Sequence, residues 1–168
     1  GTTLSLASTS NKLQNVSVKA VNGSATIVSG NDAAGALNVQ TVETVGGALT
    51  ITNKANGAKN IVVVNNNLKA NGAISITNEE TAINVGQGTT MEGASVSLIA
   101  SADAVAINGG SIKAKSGNVS INAAKDIALN SGNITANSGN VIMTALEAVT
   151  MEAGSIRTDV VDVNAAQL

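Results

Sequence analysis

Short apolar alternations recur along the chain at a regular spacing of about 22 residues. In each, one polar or small residue separates two apolar residues. The clearest pairs are Ile83 and Val85, Val105 and Ile107, Ile127 and Leu129, and Val149 and Met151. A glycine follows each pair, at Gly88, Gly110, Gly132 and Gly154. Alternation with a period of two is typical of a half-buried β-strand, whereas an amphipathic helix has a period of 3.6. The pattern predicts repeated short strands and no helix.

A second apolar pair lies in each repeat unit. Its copies are Ile74 and Ile76, Val96 and Leu98, Val119 and Ile121, and Val141 and Met143. A unit this short cannot bury its own apolar positions, so successive units must stack, with each strand about 4.8 Å from its copy. We therefore predict an all-β, single-domain parallel β-helix (a β-solenoid) over residues 1–168, with about seven coils of roughly 22 residues.

The period is less regular near the start of the chain. Residues 1–60 are predicted to form irregular coils, with protruding loops at 28–36 and 53–60, where Gly, Asn and Asp interrupt the alternation. Residues 61–168 are predicted to form the regular coils. Glycines at the corners permit the positive φ that sharp bends require.

Composition narrows the chemistry. The chain is 43% hydrophobic but contains no Phe, Trp, Tyr, His, Cys or Pro. Without His or Cys, catalytic triads, thiol nucleophiles and imidazole or thiolate zinc sites are excluded. We predict that the protein is not an enzyme and holds no cofactor and no metal.

The charge pattern speaks against two kinds of partner. The formal net charge is −2, Lys and Arg form no runs, and there is no aromatic platform for bases, so no nucleic acid is predicted as a partner. The longest purely aliphatic run, at residues 61–64, is far shorter than a membrane span of about 20 residues, so no transmembrane segment is predicted.

The period also aligns polar residues from coil to coil. Asp103, Lys125 and Glu147 are predicted to form a surface ladder of alternating charge, and Asn118 and Asn140 an amide ladder. Asp103 and Glu147 are poor candidates for a catalytic carboxylate pair, because Lys125 separates them. A flat threonine face of the ice-binding kind also lacks support, because the Thr-Ile-Thr triplet at 50–52 has no copy at the expected spacing.

Two segments carry a family resemblance. "GSIKAKSGNVSINAAKDIALNS" (110–131) and "GNITANSGNVIMTALEAVTMEA" (132–153) resemble the shaft repeats of filamentous haemagglutinin-like adhesins exported by two-partner secretion. The resemblance covers about the last hundred residues. It implies a right-handed β-helix, an extracellular or bacterial cell-surface location, and an adhesive or structural role. The family's secretion domain carries Asn-Pro motifs, and this chain has no proline, so no residue of that domain is transferred.

The two ends show alternating apolar residues and no polar cap. The predicted polymerisation interface consists of Leu4, Leu6, Val160, Val161, Val163 and Leu168. Open strand edges favour pairing, and a top-to-bottom contact that does not close generates a filament. The open ends thus suggest a structural subunit that stacks head to tail into a fibre, and the resemblance implies that this fibre is bacterial and extracellular, with an adhesion or matrix (biofilm) role.

In that hypothesis the principal partner is a second copy, with a host or cell-surface receptor or a polysaccharide as further partners. The alternative is a monomeric adhesin shaft fragment that presents its loops for binding. A polysaccharide-active β-helix enzyme is a third hypothesis, which the missing aromatic sugar platforms disfavour.

Overall fold

The computed structural model describes residues 3–30, 36–54, 61–63 and 66–168, and over these ranges the chain forms strands and turns but no helix. In chain order the strands are β1 (Leu4–Leu6), β2 (Asn15–Val21), β3 (Ala25–Ser29), β4 (Leu37–Thr44), β5 (Leu49–Asn53), β6 (Ile61–Val63), β7 (Asn67–Ala70), β8 (Ile74–Asn78), β9 (Ile83–Val85), β10 (Thr90–Gly93), β11 (Val96–Ala100), β12 (Val105–Ala114), β13 (Val119–Ala123), β14 (Ile127–Ala136), β15 (Val141–Ala145), β16 (Val149–Met151), β17 (Ser155–Arg157) and β18 (Val161–Asn164).

Every described strand pairing is parallel, and each strand pairs with its copies in the neighbouring coils. The chain is a β-solenoid of about seven turns with roughly 22 residues per turn, as the period predicts. Each turn carries three strand segments, which stack into three ladders that we call faces 1, 2 and 3. The right-handed winding implied by the family resemblance stays a prediction.

Face 1 is a sheet of eight strands in the order β1-β3-β5-β8-β11-β13-β15-β18. Face 2 comprises β6, β9, β16 and the first halves of β2, β4, β12 and β14. Face 3 comprises β7, β10, β17 and the second halves of the same four strands. Among the described residues, face 1 therefore has one rung more than faces 2 and 3, which have seven each.

The core consists of apolar columns that run along the solenoid axis. On face 1, Leu49, Ile74, Val96, Val119 and Val141 stand one above another, and all are at most 1% exposed. Each coil contributes one layer of side chains to the core. Each inward Val, Ile or Leu of an internal coil therefore packs between the equivalent residues of the coils above and below. Burial of each such side chain contributes about 1.5–3 kcal/mol before the entropy cost of ordering it.

Glycines shape the corner between faces 2 and 3. Gly88, Gly132 and Gly154 have positive φ, but in the intervening coil Gly109 has the positive φ (108°) and not Gly110. In that coil the glycine with positive φ thus lies one position before the glycine at the regular 22-residue spacing. Gly110 pairs with Gly132 within the β12–β14 ladder, where the register shifts between residues 107 and 110.

The predicted starts of the two loops fall within strands. Val28 and Ser29 are buried in β3, and Asn53 is buried at the end of β5. The central parts of both loops, residues 31–35 and 55–60, lie outside the described residues. The strands on either side of each predicted loop lie in the same ladders as the strands of the regular coils.

Candidate functional site

The last coil leaves the core open, and we call this surface the C-terminal end. Val149, Met151, Ile156, Val161 and Val163 occupy the core columns of all three faces, but no described strand lies above them. Met151 is 58% exposed, while its neighbour below in the same column, Leu129, is 1% exposed. Val161 is 48% exposed above the buried Val141.

The other two predicted interface residues at this end lie beside the core columns. Val160 is exposed at the corner that leads into β18, and its carbonyl accepts a hydrogen bond from the backbone N–H of Val141. Leu168 follows Gln167, which bridges Ala148 at the start of face 2, and its side chain is 89% exposed. Leu146, exposed at a nearby corner, was not predicted.

The first coil forms the opposite surface, the N-terminal end. Leu4 and Leu6 stand below Ala25 and Ile27, which are fully buried. Leu4 is half-buried and Leu6 is 40% exposed. Leu13 and Val18 pack against the core from the same coil. Within the described residues neither end is covered by a helix or by a strand of another direction, so both ends present an apolar interior and a free parallel strand edge.

The two ends carry opposite charge. In residues 3–24 the charged side chains are Lys12 and Lys19, both exposed. Residues 147–168 contain four carboxylates, Glu147, Glu152, Asp159 and Asp162, against the single cation Arg157, and all five are exposed. The N-terminal end is thus basic and the C-terminal end acidic, a difference that the formal net charge of the whole chain conceals.

The structure brings the predicted charge ladder together on one corner. Lys125 Nζ lies 3.0 Å from Asp103 Oδ1, and the backbone N–H of Glu147 donates to the carbonyl of Lys125. The hydrogen bond and the charge of Asp103 raise the pKa of Lys125 above its usual 10.5, with Glu147 and Asp126 adding to the effect. All three side chains of the ladder reach solvent, so it is a surface feature.

A longer charged column on face 3 was missed. The residue that follows each inward apolar position there is Glu43, Lys69, Glu92, Lys113, Thr135 and Arg157 in successive coils. Glu92 and Lys113 form an ion pair at 3.5 Å. Lys19 follows Val18, which pairs with Val42, and therefore begins this column. The sequence separation between neighbours changes at each step from Glu43 to Lys113, so a search at a fixed period passes over them.

The Asn118–Asn140 contact differs from a ladder of stacked amides. Asn118 Oδ1 accepts a hydrogen bond of 2.9 Å from the backbone N–H of Asn140. Side-chain amides do stack elsewhere: Asn130 donates to Asn108 at 2.6 Å on the surface. Asn53 donates to Asn78 at 3.2 Å in the interior, and Asn78 in turn donates to Thr81 and to the carbonyl of Ala82.

Face 1 presents mostly small uncharged side chains to solvent. Its first outward column reads Thr26, Thr50, Ser75, Ser97 and Ser120, and its second contains Thr52, Thr77, Ile99, Asn122 and Thr144. Thr50 therefore has hydroxyl neighbours on both sides, and Thr52 pairs with Thr77. Neither neighbouring coil repeats the full triplet at 50–52, because Thr52 pairs with Val28 on one side and Thr50 pairs with Ser75 on the other. The expectation that the triplet has no full copy is therefore confirmed.

No cluster of three or more metal-ligating side chains occurs within the described parts of the chain. Among the described acidic residues, Glu79, Glu92 and Asp103 pair with lysines, and Asp126 Oδ1 accepts a hydrogen bond from the backbone N–H of Ala148. A helix long and apolar enough to cross a membrane is likewise not found in these ranges.

Comparisons with known proteins identify no relative: no family model, no curated protein and no solved structure matches this chain. The end surfaces, with their exposed core columns and opposite charges, are the features of the chain that point most directly to a function.

Proposed function

We propose that the protein is a structural β-solenoid subunit of an extracellular bacterial fibre, and that copies stack head to tail through the two end surfaces. The observation that carries this proposal is the uncovered last coil. Its apolar side chains stand in the core columns, so a further coil laid on them would bury them as the internal coils are buried.

Apolar area supplies the driving force for such stacking. Met151 and Val161 are about half exposed, whereas equivalent positions one coil below are buried. Covering a Val, Leu, Ile or Met side chain contributes about 1.5–3 kcal/mol each. An edge of parallel strands also offers backbone N–H and C=O groups that another edge can satisfy.

Directionality supports a filament over a closed dimer. All described strands run parallel, so the two ends are different surfaces, and a contact between unlike surfaces repeats without closing. The opposite charges of the ends favour the contact of an N-terminal end with a C-terminal end and disfavour contacts between like ends.

The adhesive or matrix role and the surface location rest on the resemblance to filamentous haemagglutinin-like shaft repeats. Chemistry supports a structural role over catalysis, because the chain has no His or Cys and its described carboxylates form no cluster. Face 1, with its uncharged hydroxyl columns, is the broadest regular surface that a fibre of this kind would present along its side.

Electron microscopy and sedimentation velocity of the purified chain over a dilution series test the proposal. We expect filaments with a repeat near 4.8 Å along the axis and a subunit step of about 35 Å. A chain that remains monomeric at every concentration contradicts the proposal and favours a shaft segment whose ends are covered by other parts of a longer adhesin.

A matched pair of variants makes the test specific. Val163→Asp places a charge in the contact, where it is buried without a partner, and we expect more than a hundredfold weaker assembly, since such a charge costs about 3–5 kcal/mol. Thr144→Asp adds the same charge on the outside of face 1 and is expected to assemble normally. Circular dichroism verifies that both variants remain folded.

A further inference from the structure

We infer that successive copies are rotated by one face at the junction, so that β1 of one copy lies on face 2 of the copy before it and continues the spiral. This inference rests on the proposed head-to-tail stacking and specifies its geometry. Three independent features of the described residues lead to it: the number of rungs per face, the lengths of the terminal strands, and the charges that the junction brings together.

The number of rungs excludes a simple unrotated stack. Face 1 ends one rung beyond faces 2 and 3, because β18 begins an eighth coil. The next copy also begins on face 1, with β1. If face 1 is stacked on face 1, one strand is missing between β17 and the incoming β2, and the gap between paired edges doubles to about 9.6 Å. Such a gap leaves backbone groups and core columns of faces 2 and 3 uncovered.

A rotation by one face removes this gap. The chain visits faces 1, 2 and 3 in turn, so the position that follows β18 along the spiral is the next rung of face 2, above β16. When β1 of the incoming copy occupies that position, the two halves of its β2 cover face 3 and face 1. Each face then gains one strand, as it does at every internal coil.

The chain itself leads to this position. Gln167 bridges Ala148, immediately before β16, so the path after β18 turns into face 2. The Gln167 carbonyl accepts a hydrogen bond of 3.1 Å from the backbone N–H of Val149, so residues 167 and 168 lie along the start of the β16 edge. The rotated junction requires these two residues to leave that edge, so that β1 takes their place.

The lengths and patterns of the strands agree with the rotated arrangement. From β3 to β15 the strands of face 1 have five residues each, but β1 has three. The separate strands of face 2, including β9 and β16, also have three. Leu4-Ser5-Leu6 matches Val149-Thr150-Met151 position by position, with apolar residues inward and a hydroxyl outward. The strand β1 thus has the dimensions of a face 2 strand.

The charges at the junction also favour the rotated arrangement over the unrotated one. An unrotated stack continues the face 3 column and brings Lys19 towards Arg157, two like charges. The rotated stack places the second half of β2 on β18, so that Val18 covers Val161 and the following residue, Lys19, lies beside Asp162. The basic corner around Lys12 then approaches Glu152, at the corner between faces 2 and 3 of the preceding copy.

Disulfide trapping tests the register directly, because the native chain contains no cysteine. Neighbouring parallel strands hold their Cα atoms about 4.8 Å apart, within the range of roughly 4.4–6.8 Å that a disulfide spans. The pair Ser5→Cys with Thr150→Cys meets only across the rotated junction, and the pair Ser5→Cys with Asp162→Cys only across the unrotated one. All three positions are exposed and point outward.

After oxidation of assembled samples, we expect a ladder of covalent multimers on a non-reducing gel for Ser5→Cys/Thr150→Cys and none for Ser5→Cys/Asp162→Cys. Ser5→Cys alone, as a control, yields dimers at most. A ladder from the second pair only, or filaments without a ladder from either pair, overturns the rotation while leaving head-to-tail stacking intact. Absence of filaments by electron microscopy, with no ladder from either pair, rejects the proposed function together with the rotation.

Discussion

The side-chain amide of Asn53 donates a hydrogen bond to Asn78 Oδ1 at 3.2 Å inside the solenoid, where the two residues are 2% and 0% exposed. They occupy one inward column on face 1, between Ser29 below and Ala100 above. In the upper coils the column continues as Ala123 and Ala145, so the first half of the rod has a polar corner and the second half an apolar one.

Asn78→Ala is expected to destabilise the rod by about 1–3 kcal/mol, because it removes the acceptor of Asn53 and leaves a buried N–H group without that partner. Urea unfolding followed by circular dichroism measures the loss. Asn130→Ala, which removes the donor of an exposed amide contact, serves as the control and is expected to change stability by less than about 0.5 kcal/mol. Equal losses in the two variants contradict the role assigned to burial.

Gly132→Ala is expected to be more damaging than Gly88→Ala, although both glycines have positive φ. A Cβ at Gly132 overlaps the carbonyl oxygen of Gly110 in the coil below, whereas a Cβ at Gly88 meets no atom within 4 Å. Gly88→Ala therefore costs only the left-handed backbone, about 1–2 kcal/mol. Thermal unfolding of both variants makes the comparison, and a Gly132→Ala variant as stable as Gly88→Ala would show that the coils can separate at this corner.

The Lys125–Asp103 pair gives a pH dependence at alkaline pH. The folded-state pKa of Lys125 is raised above 10.5, so its stabilising contribution is complete below the unfolded pKa and is lost as the pH rises through the folded pKa. NMR titration of the Lys125 side chain is expected to show deprotonation at a lower pH in Asp103→Asn than in the native chain, because the variant removes the largest cause of the raised pKa. An unchanged titration would mean that Glu147 and Asp126 carry the effect.

Lys19→Glu is expected to weaken assembly, because in the rotated junction it sets a carboxylate beside Asp162. Exposed charge pairs contribute up to about 1 kcal/mol, so the concentration for half assembly should rise by roughly two- to fivefold at low salt. Adding Asp162→Lys should restore it, and in 1 M salt, where the Debye length is about 3 Å, the variants should converge. Stronger assembly of Lys19→Glu alone would indicate the unrotated contact with Arg157.

The regular coils were predictable because their apolar columns, such as Val119 below Val141, repeat at a constant period. The polar columns of the earlier coils were not. Asn53 and Asn78 are 25 residues apart in the sequence, more than the regular period of about 22, so a fixed period misaligns the polar neighbours there. A strand can still be recognised from its alternating apolar residues when the coil length changes. Predicting which polar residues stack from coil to coil, however, requires the pairing register of the strands.

The choice between Gly109 and Gly110 shows a second limit. Two adjacent glycines satisfy the same corner, and their separate roles depend on the register shift between β12 and β14. The extra rung on face 1 could not be predicted from the sequence for a similar reason. It is found by counting the rungs of each face, and that count requires knowing which apolar pair belongs to which face.

The extra rung on face 1 forms a step at the acidic end of the rod, and the basic end has no such step. In the proposed filament, a subunit that joins the acidic end would fit into this step, whereas a subunit that joins the basic end would bring the step with it. Elongation should therefore proceed at different rates in the two directions. A variant subunit that is impaired only at its acidic end could still bind the acidic end of a filament through its intact basic end. Its impaired acidic end would then face outward and prevent the addition of further subunits.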